Sequence, residues 1–164
     1  MKRLLILRHA KSSWSRSDLA DHERPLKKRG RRDAPRLGRH VAETGLLPDL
    51  IVTSDAKRAL DTARLVVEAA AYDGPLQVEH DLYLAEPEAI IRRLRAVPDD
   101  CSSVMIVGHN PGLEDLLAAL IGRAEALPTA ALAVVELDIP DWASLGVDAS
   151  AARLVDLWRP RDRQ

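Results

Sequence analysis

Short unbroken apolar runs alternate along the chain with stretches whose apolar residues recur every three or four positions. Leu4-Leu5-Ile6-Leu7, Leu50-Ile51-Val52 and Val104-Met105-Ile106-Val107 are runs of the first kind, the pattern of strands buried on both faces of a sheet. Residues 76–79 form a weaker fourth strand. Between these runs, Ala34, Leu37, Gly38 and Val41 share one helical face before Gly45 stops it. Ala59, Leu60, Ala63, Val67 and Ala70 mark a second helix, and Ile90, Ile91 and Leu94 a third. A fourth is expected to open with Asn110 as cap and Pro111 in its first turn, followed by Leu113, Leu116, Leu117, Leu120 and Ile121. Strands alternating with helices predict a parallel sheet covered on both faces. The rhythm then changes: 130–137 and 153–158 read as strands with no helix between them, an antiparallel pair added to the sheet, with Pro140 and Gly146 punctuating the connection. The expected fold is an α/β, three-layer α/β/α sandwich with a mixed, mostly parallel sheet, in a single domain over 1–164.

Composition narrows the function classes. Hydrophobic residues make up 46% and charged residues 30% of the chain, a globular balance, and the net charge of -1 provides no overall pull towards nucleic acid or a membrane. Aromatics amount to 3% with no Phe, so Leu, Val, Ile and Ala must build the core and little is left for stacking bases. The one cysteine, Cys101, excludes an intrachain disulfide and a multi-Cys zinc site; it reads as a small filler. Met1-Lys2-Arg3 begins like a signal peptide, but the apolar run that follows is too short for one. No stretch approaches the roughly 20 apolar residues needed to span a bilayer, and a soluble, cytoplasmic chain is expected.

The chemistry-bearing residues fall where such a sheet gathers its ligands, at the carboxyl ends of strands. Arg8 and His9 follow the first strand, Ser54, Lys57 and Arg58 the second, and Gly108, His109 and Asn110 the strand 104–107. Two histidines and several cations on one sheet edge suit a phosphoryl group: arginine matches phosphate oxygens with a planar fork of donors. A helix starting at Asn110 would turn its positive end towards the anion. A neutral imidazole can attack phosphorus, and neighbouring arginines lower its pKa and keep it neutral. No metal and no cofactor are required, because these cations can offset charge on the equatorial oxygens.

At these residues the sequence resembles a known family. Arg8-His9-Ala10 is similar to the Arg-His-Gly signature of the histidine phosphatase superfamily, which includes phosphoglycerate mutases and many phosphatases. Ser54-Asp55-Ala56-Lys57-Arg58-Ala59 with Thr62-Ala63 resembles its second arginine motif, and Gly108-His109-Asn110 its second histidine motif. More narrowly, Arg8 to Trp14, Arg24-Pro25-Leu26 with Gly30, and Gly108 to Leu113 resemble the SixA-type phosphohistidine phosphatases. The resemblance implies a phosphoglycerate mutase-like fold, His9 as nucleophile, and Arg8, Arg58 and His109 holding the phosphoryl group, with Ser54 and Asn110 in the same phosphate-binding motifs. It implies a phosphatase working through a phosphohistidine intermediate on a phosphoprotein, such as a histidine-containing phosphotransfer domain, or on a small phosphate ester. Two positions depart from the family pattern: Ala10 replaces the usual Gly, and Asp55 the usual Pro, placing a carboxylate near the pocket or capping the helix that carries Arg58. The general acid is matched to Asp21, with Asp18 and Glu86 as competitors. A labile P–N bond needs a dedicated acid less than an ester does.

Arg24, Lys27, Lys28, Arg29, Arg31, Arg32, Arg36 and Arg39 concentrate positive charge in one segment, read either as a solvated helix face or as a docking surface for an acidic phosphoprotein. His22, His40 and His80 lie outside the motifs and read as surface residues.

Overall fold

A computed structural model describes residues 1–160; the expected span to 164 ends outside the described residues. Among the described residues six strands form one sheet: β1 (Lys2–Arg8), β2 (Leu50–Ser54), β3 (Leu76–Glu79), β4 (Ser103–Gly108), β5 (Leu132–Leu137) and β6 (Ala152–Trp158). Their order is β3-β2-β4-β1-β5-β6. β1 to β4 run parallel, whereas β5 lies antiparallel to both β1 and β6. The sandwich is completed by α1 (Lys28–Glu43), α2 (Lys57–Ala70), α3 (Pro87–Arg95) and α4 (Gly112–Ile121).

The unbroken apolar strands are buried on both sides because successive side chains point to opposite faces. Leu4 and Ile6 pack with Val104, Ile106 and the α3 and α4 residues Ile90, Leu94, Leu113 and Leu117. Leu5 and Leu7 pack with Met105, Val107 and the α1 and α2 residues Leu37, Val41, Ala63 and Val66. Thus α1 and α2 cover one face and α3 and α4 the other. In α2, Val66 rather than Val67 meets the sheet, and Leu60 and Val67 lie at the margin.

Two boundaries differ from the sequence expectation. Helix α4 begins one residue late, with Pro111 in the N-cap position and Gly112 as its first helical residue. The Leu113 N–H donates to the His109 carbonyl at 3.0 Å, and the Glu114 N–H to Asn110 Oδ1 at 3.2 Å. Those two first-turn donors are therefore consumed within the protein rather than offered to an anion. The last pair of strands is antiparallel as expected, but β5 starts at Leu132. Ala130 takes a left-handed turn (φ 63°), where its N–H donates to the carbonyls of Arg8 and His9. A 3-10 turn, Trp142–Ser144, interrupts the connection to β6; it buries Trp142, whose indole N–H donates to the Cys101 carbonyl at 2.7 Å. Cys101 packs against the core and its thiol pKa is pushed up by burial, in keeping with a filler. Among the described residues, no helix is long and apolar enough to cross a membrane.

Candidate active site

β1 and β4 are neighbours at the centre of the sheet, in register with Arg8 opposite Gly108. The residue that follows each strand is a histidine, so the register of the strand ends brings His9 and His109 together. Their ring centroids are 5.3 Å apart, and the His9 N–H bonds the Gly108 carbonyl at 3.0 Å. β2 flanks β4 on its other side, and its continuation into α2 delivers Arg58 in the first turn of that helix. Arg8, His9, Arg58, His109, Asn110 and Asp21 all line one cavity of about 310 Å³.

His9 is buried, with Nδ1 2.8 Å from the Ala10 carbonyl. A carbonyl can only accept, so Nδ1 carries the hydrogen and Nε2 keeps its lone pair. Burial first, and then the neighbouring His109 and the positive charge of Arg58 and Arg8, lowers the His9 pKa to about 3 against the bond to Ala10. The ring is neutral at pH 7. Ala10 is held in turn by Thr62, whose Oγ1 accepts the Ala10 N–H at 3.0 Å and donates to the Arg58 carbonyl at 2.6 Å. One hydroxyl thus ties the loop carrying His9 to the helix carrying Arg58.

His109 bonds Ser54 Oγ through Nε2 at 2.8 Å. Ser54 Oγ also accepts the Ala56 N–H at 3.2 Å, and in this buried position His109 Nε2 is the one acceptor among the described residues for its own hydrogen. That bond places the imidazole hydrogen on Nδ1, a buried atom with no protein partner among the described residues. Burial and Arg58 bring the His109 pKa down to about 4. Ser54 is fully buried behind His109 and does not line the cavity. The Asn110 carboxamide lines the cavity but bridges the Leu127 carbonyl, at 2.9 Å, and the Glu114 N–H. Arg8 Nη1 donates to the same Leu127 carbonyl at 3.1 Å, while its buried Nε has no protein partner among the described residues.

Of the three candidate acids, only Asp21 reaches the cavity. Asp18 pairs with Arg16 in solvent at 2.7 Å, and Glu86 sits exposed before α3, its carbonyl accepting from Ala89 and Ile90. The Asp21 carboxylate is heavily occupied. Arg24 Nη1 donates to Oδ1 at 2.9 Å, Arg58 Nη2 to Oδ2 at 2.9 Å, and the Tyr83 hydroxyl also donates to Oδ2. Partial burial works upward on its pKa, but the bonds from Tyr83, Arg24 and Arg58 outweigh it and hold the group well below the usual carboxylate range. Arg58 Nη1 also donates to the Asp21 carbonyl at 2.7 Å.

Tyr83, which the sequence reading passed over, packs edge-on against His109, with centroids 5.5 Å apart. Its signal was slight: it is one of two tyrosines in a chain without Phe, lying between the weak strand and the third helix. Lys57, in contrast, points away from the cavity to Asp61 at 3.3 Å. Asp55 does not cap α2, which has no side-chain cap. It accepts instead from His22 Nε2 and His80 Nδ1, each at 2.8 Å, so neither histidine is an isolated surface group.

Two glycines permit close approaches around the site. A Cβ on Gly30 would stand 2.2 Å from the Lys11 carbonyl, where α1 meets the loop after His9, and one on Gly112 would stand 1.9 Å from the Ala85 carbonyl. The basic segment is partly internal. Arg24 is buried and stacks on Trp14 at 3.2 Å, and Asp33, also buried, gathers Arg29, Arg32 and Arg36. Arg29 also faces a second cavity of about 420 Å³, shared with Lys11 and Arg159, which adjoins the first through Arg8 and Thr129.

A central sheet edge that joins two neutral histidines to two arginines defines a phosphoryl-binding enzyme. Residues 4–91 match the model of the histidine phosphatase superfamily (branch 1), and the chain belongs to that superfamily, as one of its phosphatases. An uncharacterized chloroplastic protein of Arabidopsis thaliana is 33% identical over 153 residues, 86% of this chain and 69% of its own. An uncharacterized protein of Mycobacterium tuberculosis is 31% identical over 166 residues, 94% of this chain and 100% of its own. Among solved structures, a protein of Agrobacterium tumefaciens assigned as the phosphohistidine phosphatase SixA superposes with a TM-score of 0.83 at 29% identity, covering 97% of this chain and 98% of its own. The mixed sandwich is accordingly the phosphoglycerate mutase-like fold expected from the sequence.

Proposed function

We propose that the chain works as a single histidine phosphatase domain that removes the phosphoryl group from phosphohistidine on a protein, without a metal. The observation that carries this reading is the bare Nε2 lone pair of neutral His9 beside Arg8, Arg58 and His109. In the proposed reaction Nε2 attacks phosphorus in line with the departing nitrogen, forming a phospho-His9 intermediate that water then hydrolyses. Arg8 Nε and His109 Nδ1, both buried without a protein partner among the described residues, donate to phosphoryl oxygens, and Arg58 supplies charge. Ser54 positions His109, and Asn110 positions Arg8 through their shared acceptor on Leu127.

Asp21 serves as the proton donor only once substrate is bound. A phosphoryl dianion on Arg58 competes for the guanidinium that now holds the carboxylate and adds negative charge beside it, both of which raise its proton affinity. The mouth supports a protein substrate: Trp14 and Leu84 line the cavity and are 72% and 54% exposed, forming an apolar rim around an open phosphate cradle. The likeness to the Agrobacterium tumefaciens protein supports the same substrate class.

The deciding experiment compares hydrolysis of a phosphohistidine phosphotransfer protein with a panel of small phosphate esters, using wild type and His9→Ala. Preference for the protein, loss of activity in His9→Ala and an acid-labile, base-stable phosphoenzyme are expected. Preference for an ester would establish a small-molecule phosphomonoesterase using the same site, and activity surviving in His9→Ala would remove His9 as nucleophile.

A further inference from the structure

His22, Asp55 and His80 come from three separate segments: the 3-10 turn Asp21–Glu23, the turn after β2 and the 3-10 turn His80–Leu82. None of them lines the phosphate cavity. One potential ligand atom from each lies within 4.8 Å of the other two. We propose that these three side chains form a binding site for a divalent cation of the zinc class, separate from the phosphate cradle and beside its mouth.

The donor set fits such an ion. Two imidazoles and one carboxylate are three protein ligands of the kind zinc takes, leaving a fourth tetrahedral position for water. Ligand bonds of about 2.0–2.2 Å bring donor atoms to roughly 3.3 Å of one another, so the cluster must contract around the ion. His80, 72% exposed at its side chain, has the freedom to swing in.

The surroundings supply a further element. Glu23 Oε1 lies 3.2 Å from His22 Nδ1, on the opposite side of the ring from Asp55. A carboxylate on the far nitrogen of a metal-binding histidine fixes its tautomer and strengthens it as a ligand. Without an ion, both imidazoles meet Asp55 through N–H groups. His22, bonded to a carboxylate through each ring nitrogen, gives up one proton when it ligates, whereas His80 need only shift its hydrogen to the other nitrogen.

The placement gives the site a consequence. His22 directly follows Asp21 and packs edge-on to Tyr83 at 4.8 Å, and Asp55 directly follows Ser54. A cation here would lock the turn carrying Asp21 to the end of β2.

The test uses the whole chain and the metal alone. Zinc is titrated in phosphate-free buffer against a chromophoric chelator, proton release is followed in weak buffer, and cobalt is substituted for its visible spectrum. One zinc per chain, tetrahedral cobalt bands and a zinc-dependent rise in melting temperature are expected. All three should be lost in Asp55→Ala and His80→Ala, and Glu23→Gln should bind about tenfold more weakly. The melting curves of the metal-free variants report whether they fold, and His80→Ala removes only an exposed ring. Zinc binding that is absent in wild type, that persists unchanged in both variants, or that is lost instead in His9→Ala would overturn the site.

Discussion

Arg58 grips Asp21 at two points, through Nη2 on the carboxylate and Nη1 on the main-chain carbonyl. The arginine proposed to hold the phosphoryl group is thus occupied in the resting site by the candidate acid. Exchanging Asp21 for Asn separates the two roles of that carboxylate. The rate on an alkyl phosphate ester should fall by about 10²–10⁴, whereas the rate on phosphohistidine, whose leaving nitrogen is more readily protonated, should fall by less than about tenfold. Steady-state kcat on both substrates checks this, and equal losses would make Asp21 a clamp for Arg58 alone.

The two central histidines predict a particular pH dependence. Their pKa values, about 3 for His9 and about 4 for His109, lie below the ordinary 6.5. Between 6.5 and those values the unfolded chain binds more protons than the folded one, so their contribution to stability is complete above pH 6.5 and is lost as pH falls towards 4 and 3. Urea midpoints should drop across that window, and less steeply in His9→Gln. The wild-type free-enzyme profile of kcat/KM should carry no acid limb near 6.5 from His9.

Thr62 is buried beneath the site and serves two partners at once. Thr62→Val leaves the Ala10 N–H and the Arg58 carbonyl without it, and should lower stability by about 1–3 kcal/mol. Because Ala10 orients His9 and Arg58 starts the same helical turn, the rate of phosphoenzyme formation in a single turnover should fall as well, at a temperature where the variant is fully folded.

Gly30 allows α1 to pass under the loop after His9. In Gly30→Ala the added methyl meets the Lys11 carbonyl at 2.2 Å, a backbone atom that cannot swing aside. A loss of about 1–3 kcal/mol in urea unfolding is expected.

The start of the basic segment, where Lys27 and Lys28 are exposed and Arg29 faces the second cavity, predicts a substrate effect. Replacing Lys27, Lys28 and Arg29 together with Ala should raise KM for a phosphoprotein and leave KM for a small ester unchanged, the protein effect weakening as salt is added. Equal changes in both would show that the segment acts on the fold or the site rather than on docking.

Much of this protein is written locally. Unbroken apolar runs become strands with both faces buried, since the two-residue alternation sends Leu4 and Ile6 one way and Leu5 and Leu7 the other. The residue types after three strands carry the phosphoryl chemistry before any contact is known. The sequence by itself also determined the helices, because their apolar faces repeat at helical spacing. Their ends were less legible: the start of α4 depends on where Asn110 and the His109 carbonyl find partners, and the start of β5 on the bonds Ala130 makes to Arg8 and His9.

Only the tertiary structure decided which side chains meet. Strand order puts His109 beside His9, and neither residue's neighbours in the chain encode that order. Thr62 reaches Ala10 across 52 positions and Tyr83 reaches Asp21 across 62. The same holds for Asp55, which on local grounds could cap a helix but in three dimensions stands between two histidines. Hydrophobic periodicity is a property of neighbours along the chain, whereas a pKa, a tautomer or a ligand set belongs to atoms that folding alone brings together.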